Sequence, residues 1–180
     1  MTKTPQEILD FWFSDQMSRY WFAKSDDIDR EIAARFADTL EAAHAGRLDH
    51  WIEDADSALA LVIALDQFPR NIHRGGPRAF ASDAHALAHA TAALDRGHDQ
   101  AQPPERRQFF YLPFMHAEDL AAQDRSVALY QALGNENSLH FARDHRDIVA
   151  RFGRFPHRNA ILGRETTPDE AEFLKTHSGF

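Results

Sequence analysis

The stretch that decides the fold is Ala58-Leu59-Ala60-Leu61-Val62-Ile63-Ala64-Leu65, eight apolar residues in succession. A helix through this run has no polar position at any angle, so it must be covered on every face. The run is far short of the ~20 residues needed to span a bilayer, which excludes a membrane span and predicts a buried central helix. Asp54 or Asp56 supplies the oxygen that caps its first turn. A helix without a solvent face needs several others around it, and the flanking sequence provides them.

Thr4-Pro5-Gln6-Glu7 is a capping box with proline at the first helical position, where its missing N–H costs nothing. The helix it opens carries Ile8, Leu9, Phe11, Trp12 and Phe13; with Tyr20, Trp21 and Phe22 these aromatics read as a core plug. Ser25 caps the next helix, Asp26, Asp27 and Asp29 suit its positive end, and Ile28, Ile32, Phe36, Leu40 and Ala43 recur at helical spacing before Gly46 closes it. Further helices are predicted from Ser82 to Gly97, from Pro103-Pro104 with a kink or split at Pro113, and from Glu118 to Leu133. Another runs from Glu136 to Arg154, with Leu139, Phe141, Ile148, Val149 and Phe152 inward. Thr167-Pro168-Asp169-Glu170 repeats the opening box and starts a terminal helix with Phe173 and Leu174 inward. No segment alternates with period two between hairpin turns. The expected class is all-α: seven or eight helices packed as antiparallel pairs in a bundle or short solenoid, in one domain spanning residues 1–180.

The chain has 180 residues, with 20 Lys+Arg against 28 Asp+Glu, a formal charge of −8. That balance argues against bulk nucleic acid as a partner. The absence of cysteine excludes disulfides, thiolate metal sites and a cysteine nucleophile. Met1-Thr2-Lys3-Thr4 runs into the first helix cap without a signal-peptide pattern, so a cytoplasmic location is expected. The basic residues are unevenly spread. Arg70 to Arg78 carries +3 and Arg143 to Arg164 carries +4, against −15 elsewhere. Two arginine islands on an acidic chain fit a discrete carboxylate or phosphate held by guanidinium forks. The competing reading is that Arg70, Arg158 and Arg164 tie loops to carboxylates such as Asp66 and Glu118.

Inside these islands two helix exits repeat: Leu65-Asp66-Gln67-Phe68-Pro69-Arg70-Asn71-Ile72 and Gly153-Arg154-Phe155-Pro156-His157-Arg158-Asn159-Ala160-Ile161. Each proline is expected to stop its helix. Either the two are matching helix stops, or they converge on one groove formed by Arg70, Asn71, His116, His157, Arg158 and Asn159. The second alternative predicts binding of a small anionic molecule or a peptide carboxylate.

The chain resembles a known family through Ile8-Leu9-Asp10-Phe11-Trp12-Phe13, Trp21-Phe22, Leu65 to Asn71, Arg78-Ala79-Phe80, Phe109 to Asp119, Gln123 and His157 to Arg164. These segments are similar to the bacterial proteins grouped as domain of unknown function 924. The resemblance implies an all-helical, tetratricopeptide-like fold and brings no activity with it. The strict tetratricopeptide consensus is not visible at its 34-residue period.

If the helix continues past Pro113, His116, Asp119 and Gln123 share one face, and Asp119 could orient His116 as an acid/base pair. An acid/base or metal-assisted hydrolase using Asp66, His116 and Glu118 is therefore the alternative function. His85 and His89 have the four-residue spacing of zinc-binding helices, but Ala86-Leu87-Ala88 between them lacks the catalytic glutamate. They are expected on a solvated face, with no metal site or cofactor assigned. No Gly-x-Ser-x-Gly elbow, phosphate loop or dinucleotide fingerprint supports the standard acyl, phosphoryl or hydride chemistries. A third reading is a partner-binding protein whose aromatic N-terminus docks on another chain, with a homo-oligomer left open.

Overall fold

Both capping boxes close as their spacing predicts. Thr4 Oγ1 accepts from the Glu7 amide at 3.3 Å while the Glu7 carboxylate accepts from the Thr4 amide at 2.8 Å; Thr167 and Glu170 repeat the arrangement at 3.3 and 2.8 Å. The structure, a computed structural model, describes residues 1–177 and 179. Among these residues the chain is all-α, with no strand. The helices are α1 (Pro5–Trp12), α2 (Asp15–Ser18), α3 (Asp26–His44), α4 (Ala55–Ile72), α5 (Asp83–Asp95), α6 (Pro104–His116), α7 (Leu120–Leu133), α8 (Glu136–Phe152) and α9 (Pro168–Leu174). Short 3-10 turns lie at Asp49–Glu53, Pro77–Phe80 and Pro156–Arg158. The chain divides into two compact units, Met1–Arg74 with Arg78–Pro113, and Gly75–Pro77 with Phe114–Phe180. No linker marks the division, which falls inside α6.

In the first unit α4 is the covered helix, buried without interruption from Ser57 to Pro69 and capped by Asp54. Helices α1, α3 and α5 and the Asp49–Glu53 turn pack around it. Trp12 meets Phe68 and Phe109 edge-on at 5.9 and 5.8 Å, and Phe36 stacks on Phe68 at 4.8 Å. Of the N-terminal aromatics, Phe11 and Trp12 join this core, whereas Tyr20 and Phe22 are exposed. Helix α4 does not stop at Phe68-Pro69 as expected; it continues to Ile72, and the His73 amide still donates to the Pro69 carbonyl at 2.9 Å. Proline removes its own donor and crowds the carbonyl one turn back, and close packing on every side of the preceding turns outweighs that cost. Pro113 likewise sits within α6, which breaks only after His116.

In the second unit α7 and α8 form an antiparallel pair turned by Gly134, whose left-handed conformation (φ 75°) favours glycine. Helix α8 ends at Gly153 (φ 70°), so Phe155 is extended and Pro156 begins a 3-10 turn outside the helix. The two Phe-Pro exits are therefore not equivalent: one proline lies inside a helix and the other beyond one. Ile148, Val149 and Phe155 form the small core here, with Phe152 and Phe173 against it. Phe141, expected inward, is exposed, and Leu174 is half-buried.

Truncating Leu61, which is fully buried in α4, should lower unfolding stability by about 2–5 kcal/mol in urea denaturation of Leu61→Ala. The exposed Leu120→Ala should change it by no more than about 0.5 kcal/mol.

Candidate functional site

The first arginine island begins on the last turn of α4 and runs on to the Pro77–Phe80 turn, and its arginines face carboxylates of the same unit. Arg70 forks onto Asp83 at 2.9 and 3.1 Å and donates to the Asp66 carbonyl at 2.6 Å. It also lies 3.5 Å from the Asp66 carboxylate, which is 1% exposed and accepts from Gln67 at 2.6 Å. Burial would lower the Arg70 pKa, but Asp66 and Asp83 outweigh it and raise the pKa. Asn71 and Arg74 both donate to Asp29 at 2.8 Å. Burial would raise the Asp29 carboxyl; Arg74 and Asn71 reverse that and hold it below the usual range. Arg70 is thus committed to carboxylates, as the competing reading of the sequence anticipated, and Asn71 is engaged by Asp29.

The second island is organised around Glu118. Its carboxylate receives the Arg164 fork at 2.6 and 2.9 Å and the Phe155 amide at 2.8 Å. Arg164 Nε donates to Asn159 Oδ1 at 3.0 Å, and Asn159, fully buried, donates to Glu170 at 3.2 Å. Arg154 forks onto Glu170 at 2.7 and 2.8 Å. The carboxylate that completes the α9 capping box is therefore also the far end of a continuous charged network. Its pKa falls to about 2, chiefly through the Arg154 hydrogen bonds. Burial would raise Glu118, but Arg164, the Phe155 amide and the Arg158 charge outweigh it and keep it ionised and engaged. It does not offer an unengaged general base.

His116, the last residue of α6, has no helical continuation to align it with Asp119. Asp119 is extended (φ −139°, ψ 123°) and its carboxylate caps α7 by accepting from the Ala122 amide at 2.8 Å. Gln123 turns back to donate to the Met115 and Ala117 carbonyls at 2.6 and 2.8 Å. Instead, His116 lies 6.4 Å, ring to ring, from His145 of α8, a residue absent from the sequence-derived candidates. The Phe155 ring is the shared platform of this cluster. His145 meets it at 5.5 Å, His157 at 5.6 Å and the Arg158 guanidinium at 4.5 Å. Arg158 is 6% exposed and donates to the His116 carbonyl at 3.1 Å. Gly179 lies on the other flank of His157; a Cβ there would come within 3.2 Å of the imidazole. The sequence hides His145 because it looks like one more polar position on an amphipathic helix.

Burial first, then the neighbouring His116 and Arg158 charges, push His145 down to about 3. Burial and Arg158 push His157 to about 4. Both imidazoles are therefore neutral in the fold at neutral pH, whereas in the unfolded chain they titrate near the ordinary ~6.5. Between about pH 6.5 and 4 the unfolded state binds more protons, so stability falls as pH drops through that window. Each histidine contributes up to about 1.4 kcal/mol per pH unit. Urea denaturation across that range should show a shallower slope in His157→Gln than in the wild type.

In the first unit, His85 and His89 are half-buried and approach Asp49. Among the described residues no helix is long and apolar enough to cross a membrane.

No curated protein matches the chain. A solved structure described as a protein of unknown function, ATU0120, from Agrobacterium tumefaciens is 50% identical, covering 96% of this chain and 97% of that one with a TM-score of 0.92. The family model of the bacterial proteins of unknown function DUF924 matches residues 8–178. With that match over nearly its whole length, the chain belongs to the DUF924 family.

Proposed function

We propose that the protein binds a small carboxylate-bearing anion, or a peptide carboxylate, at Arg158 with His116 and His157 in the second unit. The observation that carries this reading is a guanidinium only 6% exposed inside a histidine cluster whose imidazoles it helps keep neutral. Burial is the main cause of those shifts and the Arg158 charge adds to them, and a positive charge held among largely buried groups favours an anion. The guanidinium fork suits a planar carboxylate, and neutral imidazoles can add N–H donors. Asn159 supports the site from behind through its bonds to Arg164 and Glu170. Arg70 and Asn71 are left out because their partners are Asp83 and Asp29. The hydrolase reading has less support. Asp66 and Glu118 belong to different units, and an arginine pairs with each carboxylate.

Succinate, inorganic phosphate and a dipeptide with a free carboxylate are the probes. At least one should raise the unfolding temperature of the wild type, with the shift lost in Arg158→Gln and kept in Arg70→Gln. A bound anion stabilises protonated His157 and His145, so titration calorimetry in two buffers between about pH 4 and 6.5 should record proton uptake. If no probe shifts the wild type, or Arg158→Gln shifts equally, the reading fails.

A further inference from the structure

The unit that holds α4 also brings together three metal-ligating side chains that play no part in the cluster around Phe155. His85 and His89 stand one turn apart on α5, so both project from the same face. Asp49 opens the Asp49–Glu53 turn, which packs against α5. His85 Nε2 lies 3.2 Å and His89 Nε2 3.1 Å from the same oxygen, Asp49 Oδ1, and the two nitrogens are 2.9 Å apart.

Protons alone cannot make this triangle favourable. Asp49, as a carboxylate, has no proton to give, so hydrogen bonds along both of its edges require an N–H on each imidazole. The third edge joins the two imidazole nitrogens and is a hydrogen bond only if one of them lacks that proton. One edge is therefore repulsive in every arrangement, whereas a cation at the centre satisfies all three donors. The size agrees. With bonds of ~2.1 Å, donors meeting at a right angle are about 3.0 Å apart and donors at the tetrahedral angle about 3.4 Å.

We propose that Asp49, His85 and His89 form a binding site for a first-row divalent transition-metal ion, with its remaining coordination positions open to solvent. Two imidazole nitrogens and one carboxylate oxygen select ions such as zinc, cobalt or nickel over magnesium or calcium. Three protein ligands leave room for water or a substrate atom, the arrangement of reactive rather than purely structural sites. The side chains grade from 12% exposed at His89 through 29% at His85 to 49% at Asp49, so the open side lies toward the aspartate. Gly46, just past α3 with φ 73°, keeps that side free; a Cβ there would sit 3.2 Å from Asp49 Oδ2. The spacing of the histidines is visible in the sequence, but their third partner lies 36 positions before His85.

The test is titration of the full chain, stripped by a chelator, with Co2+ alone. The wild type should bind one equivalent and gain visible ligand-field absorption, which Zn2+ removes by displacement and Mg2+ does not. Asp49→Asn and His85→Ala should each weaken Co2+ binding by more than about tenfold, the loss that even outer-shell partners cause. Their metal-free unfolding temperatures should match the wild type, Asp49→Asn in particular because that side chain is half exposed. His140→Ala, which alters an exposed histidine paired with Asp144, should bind as the wild type does. No one-equivalent complex in the wild type, or undiminished binding in either ligand variant, overturns the assignment.

Discussion

The complete burial of α4 constrains the rest of the first unit. From Ser57 to Pro69 no residue of this helix reaches solvent freely, and the buried stretch includes an acid, Asp66. A carboxylate in that position needs hydrogen bonds and a counter-charge. Gln67 supplies the first, and Arg70, one turn on, supplies the second. Arg70 is in turn too buried to stand on one partner, and the Asp83 carboxylate at the start of α5 completes its shell. One buried acid thus fixes the end of α4 against the beginning of α5. The same chain of demands removes Arg70 from the set of residues that could meet a ligand.

The two units resolve their arginine excess differently. Along the sequence, Arg70 to Arg78 holds no acid. In space Arg70, Arg74 and Arg78 face Asp83, Asp29 and Glu41, all outside the island and the last two far from it in sequence. In the second unit Arg154 and Arg164 are matched by Glu170 and Glu118, whose carboxylates also hold the Thr167 and Phe155 amides. Arg158 lies over Phe155 and donates to the His116 carbonyl. A count of charge along the chain cannot separate these cases, because neutralisation depends on contacts across tens of residues.

The legible features were the local ones. Capping boxes at Thr4 and Thr167 and the Ser25 cap rest on three-residue spacings, the α4 run on eight successive residues, and all of them form. The prolines misled because their local cost is real yet small beside packing. Pro69 gives up one donor inside a helix covered on every side, whereas the turn at Pro156 follows a stop already set by Gly153. Ser82 shows the reverse case: it precedes α5 as expected, but its hydroxyl pairs with His44 at 2.9 Å rather than capping the helix. Of the candidate site, Arg158 and His157 were legible as residue types in a basic segment, and His116 as the histidine that follows Pro113. His145 and Asp49 were not, because only the tertiary fold places them.

The protein's two histidine clusters show why composition cannot name a ligand. His145 and His157 sit beside a guanidinium and an aromatic ring, and the ligand proposed there is an anion. His85 and His89 turn their Nε2 atoms toward one carboxylate oxygen, at 3.2 and 3.1 Å, and the ligand proposed there is a cation. On these two proposals identical side chains take opposite ligands, and the deciding residue in each case is the nearest fixed charge. On that reading Arg158 and Asp49 are the positions where reversing the charge should reverse the preference, because the surrounding imidazoles do not set its sign.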